Sequence, residues 1–257
     1  MKLFFVGKKV MKIVGIVISI FVLSVFAAAQ KSPVVIFLAG DSTLAEKKED
    51  KRPETGWGEK LHQYFDAQKI KVENHAQNGR STKTFISENR WQAIVDKLKK
   101  GDYVFIQFGH NDQSKEKGER YAPPEDFKRN LARMVGDVLA KGANPILLTP
   151  VVRRRFGKDG KFYDAHGEYP DLTRSVAKDL RVSLLDMHRA SEKLIVKYGA
   201  EDSRKLFLQL KAGENANYPN GIEDNTHFSP LGAEEMARLA IEEMRLQRHK
   251  LRKYLKK

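Results

Sequence analysis

The chain contains no cysteine in 257 residues. Without thiols it has no disulfide framework, no cysteine nucleophile and no lipid on an N-terminal cysteine, so its stability must come from a buried core. Long apolar runs are nearly as scarce. Ile13 to Phe26 forms one, and no later stretch is long and apolar enough to cross a membrane. The sequence shows no internal repeat, and no linker that would divide it into domains. No group of His, Asp and Glu has the spacing of a metal site. The loops carry no apolar lid segment of the kind that would favour a lipase.

The first apolar run has its own logic. Lys2, Lys8, Lys9 and Lys12 precede it, and Ala27-Ala28-Ala29-Gln30 follows it. A basic start, an apolar middle and small residues at the end make a secretory signal peptide over residues 1–29, with one mature domain over residues 30–257. An uncleaved membrane anchor is the competing reading, and the short run with its Ala-x-Ala ending favours cleavage. The mature protein is expected in the periplasm or outside the cell, with no stable membrane insertion.

Charge is lopsided, at a formal +14 for the whole chain. Removing the leader's four lysines leaves about +10 on the mature part. Much of the excess lies between Arg245 and Lys257, read as the solvated end of a C-terminal helix. For an exported protein, the expected partner is anionic polysaccharide or a cell surface rather than nucleic acid.

Five short apolar segments punctuate the rest: Val34 to Ala39, Ile70 to His75, Asp102 to Phe108, Pro145 to Thr149 and Val182 to Leu185. Each reads as a buried strand, and helical or loop segments separate them. Helices are expected over about 57–65, 91–98, 123–140, 172–179, from about 186 to 198, and 231–246. Pro123 and Pro124 open the third of these and Gly142 closes it. Strands alternating with helices imply parallel pairing, hence a three-layer α/β/α sandwich around a sheet of about five strands. Leu206 to Leu210 starts as a further apolar segment, and an irregular loop follows from Ala212 to Pro219. His227 is expected in a loop just ahead of the last helix.

The chemistry gathers at the ends of these strands. Ser42, in Gly40-Asp41-Ser42-Thr43, follows the first one, where open α/β sheets build their sites. A serine hydroxyl needs a base, and the base needs a group that holds its tautomer. Asp224 and His227 are three residues apart, within reach of each other, and the chain order Ser, Asp, His suits a hydrolase built on one sheet. Attack on an ester also requires preset donors for the oxyanion. The backbone N–H groups of Ser42 and Gly79 and the side-chain amide of Asn111 are candidates. Asp41 and Asp112 are read as turn holders, His75 and His110 as structural, and Trp57 as core. Arg80, Arg153, Arg154 and Arg155 are candidates for substrate carboxylates, since guanidinium grips carboxylate with a planar fork. A solvated loop is the equal alternative for the triple Arg.

Four blocks occur in order: Gly40-Asp41-Ser42, Asn78-Gly79, Gly109-His110-Asn111-Asp112 and Asp224-Asn225-Thr226-His227. Together they resemble the SGNH, or GDSL, hydrolases over nearly the whole mature chain. Local variants, including Gly-Asp-Ser-Thr, Thr55-Gly56-Trp57-Gly58, Asn78-Gly79-Arg80-Ser81 and Phe108-Gly109-His110-Asn111-Asp112, look like the rhamnogalacturonan acetylesterase branch of that family. The resemblance implies a flavodoxin-like sandwich, and Ser42 as nucleophile. It also implies His227 as general base and acid, Asp224 as its orienter, and an oxyanion hole of Ser42, Gly79 and Asn111. It implies an acetylated polysaccharide or oligosaccharide as substrate, with no metal or organic cofactor. Other readings are an acetylesterase for xylan or another glycan, and a non-catalytic glycan-binding protein on the same fold.

Overall fold

The computed structural model describes residues 32–256, so the leader read at residues 1–29 lies outside the described residues. Five parallel strands form the main sheet: β1 (Val34–Gly40), β2 (Ile70–Asn74), β3 (Tyr103–Gln107), β4 (Asn144–Leu148) and β5 (Ser183–Leu185), in spatial order β2-β1-β3-β4-β5. The expected sheet is borne out in strand number and in parallel pairing.

Side chains alternate across this sheet with a period of two, and each face has its own core. Ile36, Leu38, Phe105, Ile146 and Leu148 point to one side. There they meet α1 (Gly58–Leu61), α6 (Met187–Asp202) and α7 (Pro230–Leu246) through Leu61, Ile195, Met236 and Ala240. Phe37, Ala39, Val104, Ile106 and Leu147 point the other way. They pack on α2 (Thr82–Ser87), α3 (Arg90–Val95), α4 (Pro124–Ala140) and α5 (Tyr169–Asp179) through Phe85, Trp91, Leu131 and Val176. Two apolar faces covered by helices explain why the strands read as continuous hydrophobic runs.

Helix ends follow the capping chemistry of the sequence. Pro124 opens α4 and Pro230 opens α7, where the Ser229 hydroxyl accepts the Gly232 N–H at 3.1 Å. Gly199 has φ +76° and breaks the helical geometry of α6 just after Tyr198. Helix α2 was not expected. Its cap is a reciprocal pair, with the Ser81 hydroxyl accepting from Thr84 N–H while the Thr84 hydroxyl accepts from Ser81 N–H. Threonine in place of the usual Glu or Gln at the third position hides that signature.

A second, two-stranded antiparallel sheet corrects the reading of the C-terminal part. β6 (Phe207–Leu210) pairs with β7 (Ile222–Phe228), so His227 lies on a strand and not in a loop. Polar residues fill β7 from Glu223 to His227, so hydrophobic alternation gave no sign of it. Its register is irregular as well: while β6 advances from Phe207 to Gln209, β7 runs from Phe228 back to Glu223. The residues between bulge out of the ladder.

Candidate active site

In the strand order β2-β1-β3, chain direction across the sheet reverses at β1, which leaves a crevice beyond the carboxyl ends of β1 and β3. Ser42 follows β1, Gly79 follows β2 and Asn111 follows β3, so three loops bring the first three sequence blocks to one place.

The turn bearing Ser42 is tightly fastened. Asp41 is fully buried, its Oδ1 accepting the Thr43 N–H at 2.9 Å and the Thr43 hydroxyl at 2.8 Å. Thr43 Oγ1 in turn accepts from Gln107 Nε2 at 2.7 Å, and Gln107 Oε1 accepts from the Trp57 indole N–H at 3.1 Å. Trp57 is thus core, as expected, and it ties the turn to β3. Its flanking glycines permit this. A Cβ on Gly56 would fall 1.9 Å from the Ala45 carbonyl oxygen, and one on Gly58 2.5 Å from that of Leu44.

Across the crevice, His227 Nε2 lies 2.8 Å from Ser42 Oγ, and His227 Nδ1 lies 2.7 Å from Asp224 Oδ2. The carboxylate only accepts, so it holds the proton on Nδ1 and leaves Nε2 as acceptor for the serine hydroxyl. A regular strand would place residues three apart on opposite faces. The bulge in β7 turns both inward, and Asp224 Oδ1 stabilises it by accepting the N–H groups of Thr226 at 2.7 Å and His227 at 3.0 Å. Burial works to raise the Asp224 pKa, but the imidazole and these two N–H groups outweigh it and hold the carboxyl at about 2.

Neither the Ser42 N–H nor the Gly79 N–H has a backbone partner among the described residues. The Asn111 amide donates one hydrogen to the Arg80 carbonyl at 3.0 Å, which fixes its nitrogen and leaves the second hydrogen to the crevice. Gly79 has φ +74°, a left-handed conformation that favours glycine. The guanidinium of Arg120 takes the place of its missing side chain. Cζ, Nη1 and Nη2 all lie 3.1–3.2 Å from where a Cβ would stand, so the plane lies flat over Gly79. Arg120 has no acidic or hydrogen-bonding partner for this side chain among the described residues.

The four arginines singled out in the sequence divide. Arg80 is spent locally, its Nε donating to Glu88 at 3.0 Å and its Nη1 to the Asn78 carbonyl at 2.9 Å. Arg154 is buried and holds Asn225 of β7 through Nη1 at 2.9 Å, with Ser203 and the Ala200 carbonyl as further acceptors. Arg153 donates to the Thr226 hydroxyl at 2.9 Å and to the His110 carbonyl at 3.2 Å, beside the triad. Arg155 is exposed. Arg153 and Arg155 line a groove of about 500 Å³ together with Lys117, Gln113, His166 and Glu168. A larger groove of about 790 Å³, lined by Arg245, Arg252 and Lys253, includes none of the site residues.

A histidine cluster adjoins the crevice. Asp164 Oδ1 lies 3.1 Å from His166 Nδ1 and 3.0 Å from His188 Nε2, the proximity a metal ion requires. A ligating imidazole almost always donates its other N–H to an acceptor. Among the described residues, His166 Nε2 and His188 Nδ1 are buried without a partner, so neither ring has the second acceptor that a metal-ligating imidazole calls for. Burial pushes the His166 pKa down to about 3. The His110 ring stacks edge-on against His166 with centroids 4.7 Å apart, and burial lowers its pKa too, in keeping with the structural role expected.

Two groups at the site were not singled out in the sequence, Arg120 and the buried Lys47, whose Nζ donates to the Ser42 carbonyl at 2.5 Å. Both are cations in charged loops, where nothing in the sequence separates them from solvated neighbours.

A model of the GDSL-like lipase/acylhydrolase family matches residues 38–234, more than half of the chain. The rhamnogalacturonan acetylesterase RhgT of Bacillus subtilis (strain 168) is 43% identical over 212 residues, which cover 82% of this chain and 90% of that protein. The crystal structure of the YxiM protein of Bacillus subtilis superposes with a TM-score of 0.73 at 28% identity, covering 85% of this chain and 58% of that one. An acetylxylan esterase from Geobacillus stearothermophilus superposes with a TM-score of 0.58 at 17% identity, covering 83% and 94%, a likeness of fold alone.

Proposed function

Because the chain belongs to the GDSL-like lipase/acylhydrolase family, and is thereby a carboxylic ester hydrolase, we propose that it removes O-acetyl groups from plant cell-wall polysaccharide, with rhamnogalacturonan as substrate. The carrying observation is the continuous hydrogen-bonded line from Asp224 through His227 to Ser42, at 2.7 and 2.8 Å. The choice of substrate rests on the likeness to RhgT. The groove bearing Arg153 and Arg155, and the flat guanidinium of Arg120, supply cations for the carboxylates of a pectic chain.

In this reading His227 Nε2 takes the Ser42 proton as Oγ attacks the acetyl carbonyl carbon. The carbonyl oxygen becomes an oxyanion received by the Ser42 and Gly79 N–H groups and the Asn111 amide. Collapse breaks the bond to the sugar oxygen, which leaves with the proton from His227 and gives acetyl-Ser42. Water then attacks, losing a proton to His227, and acetate departs as Ser42 regains its hydrogen. Asp224 stays ionised and steadies the imidazolium in both steps. We also propose that residues 1–29 are a leader and that the enzyme acts after export.

The test is acetate release from acetylated rhamnogalacturonan by the wild-type protein and by Ser42→Ala, beside acetylated xylan. Release from the pectic substrate that is lost in the variant is the expected result. Equal rates on xylan would overturn pectin specificity. Release from neither glycan, with binding retained in both proteins, would leave a glycan-binding protein.

A further inference from the structure

Lys47 lies in the loop that follows the nucleophile turn, and its side chain is 1% exposed. Burying an ammonium is costly unless every N–H is paired, and folding alone favours an apolar side chain of similar volume at such a place. All three N–H groups of Lys47 are taken, by the Ser42 carbonyl at 2.5 Å, Asn78 Oδ1 at 2.9 Å and the Glu54 carboxylate at 2.8 Å.

The choice of partners is informative. Ser42 and Gly79, whose amides have no backbone partner among the described residues, belong to different loops, one after β1 and one after β2. The backbone pairing between these loops ends where the Gln77 N–H donates to the Gly40 carbonyl at 3.0 Å. Beyond that point Lys47 continues the connection, gripping the nucleophile itself on one side and the residue before Gly79 on the other. Glu54, held among buried groups of the long loop after β1, fixes the ammonium from the third direction.

We propose that Lys47 is a positioning residue of the esterase: clamped between the Ser42 carbonyl and the Asn78 side chain, it sets the separation and aim of the two backbone amides that receive the oxyanion. This rests on the serine-esterase reading of the site. A loosened clamp leaves ground-state binding of the ester intact and penalises the tetrahedral stage, where donor placement matters. The signature is therefore a loss in kcat with KM retained. The affinity for an aryl boronate that forms a tetrahedral adduct on Ser42 falls in proportion to kcat/KM.

The experiment uses the purified protein, 4-nitrophenyl acetate as substrate and phenylboronate as inhibitor. Two variants are compared with wild type. Lys47→Met with Glu54→Gln removes the clamp without stranding a buried carboxylate, and Asn78→Ala opens one arm while leaving the ion pair in place. In each, kcat is expected to fall about 10- to 100-fold with KM within about 3-fold, and the boronate inhibition constant to rise by the same factor as kcat/KM falls. A lysine that served stability alone would lower the melting temperature and leave kcat and boronate affinity of the folded enzyme at wild-type values, which would overturn the proposal. If the double variant does not fold, Asn78→Ala decides. A wild-type protein inert on aryl acetate overturns the esterase reading and this one together; an active wild type with unaffected variants overturns this one alone.

Discussion

Asp224 Oδ2 and His227 Nδ1 meet at 2.7 Å although the two residues sit on one strand at a spacing that regular strand geometry would send to opposite faces. The bulge in β7 makes the contact possible, and the two backbone N–H groups on Asp224 Oδ1 keep the bulge in shape. Asp224→Asn keeps the size of the side chain and most of that scaffold but no longer dictates which nitrogen carries the proton. Its kcat on an acetyl ester is expected to drop on the order of 10³- to 10⁴-fold. Circular dichroism should remain that of the wild type.

The same carboxylate makes the fold acid-sensitive. Its pKa of about 2 lies below the ordinary aspartate value, so its contribution to stability is complete above the unfolded value near 4 and is lost as pH falls through about 2. Between pH 4 and pH 2 the wild type should lose stability faster than Asp224→Asn, by roughly 2 kcal/mol over the interval. Urea unfolding at several pH values measures this, and parallel slopes would refute it.

Asn111 has one amide hydrogen on the Arg80 carbonyl and the other directed to the crevice. Removing an oxyanion donor is expected to cost kcat about 10²- to 10³-fold with little change in KM. Asn111→Ala assayed by steady-state kinetics gives the value. A loss appearing in KM would mean that Asn111 binds the substrate's ground state instead.

Arg120 lies flat on Gly79, and among the described residues nothing engages its fork. If pectic carboxylates are read there, oligogalacturonate should compete with 4-nitrophenyl acetate, and Arg120→Gln should raise its inhibition constant about 10-fold or more, the size of a lost charge-assisted hydrogen bond. Methyl-esterified oligogalacturonate should inhibit poorly and show no such difference between the two proteins. Equal inhibition by both sugars in both proteins would remove Arg120 from substrate recognition.

The sheet was legible because strands buried on both faces, such as Val34 to Ala39 and Tyr103 to Phe108, cannot hide their composition. Ser42 and Asn111 were legible for a related reason, since each follows such a strand by a few residues and the sheet order carries both to one crevice. β7 was not legible. Its residues from Glu223 to His227 are polar and serve the site, and it holds its place through β6, Arg154, Thr55 and the single buried ring of Phe228 at its end. Arg154 shows the converse limit. In sequence it stands between two arginines that line the groove, and only the fold reveals that its guanidinium is buried under Asn225 and Ser203.

The bond between Ser42 and His227 joins residues 185 positions apart, one at the end of the first strand and the other beside the last long helix. Local structure in the sheet and helices can form before that loop closes, whereas the reacting pair cannot. Recovered ester hydrolysis after dilution from denaturant therefore times the arrival of the chain's far end. It should lag the return of helical circular dichroism, and a chain halted before β7 would lack both His227 and the helix α7 that covers one face of the sheet, and would be inert.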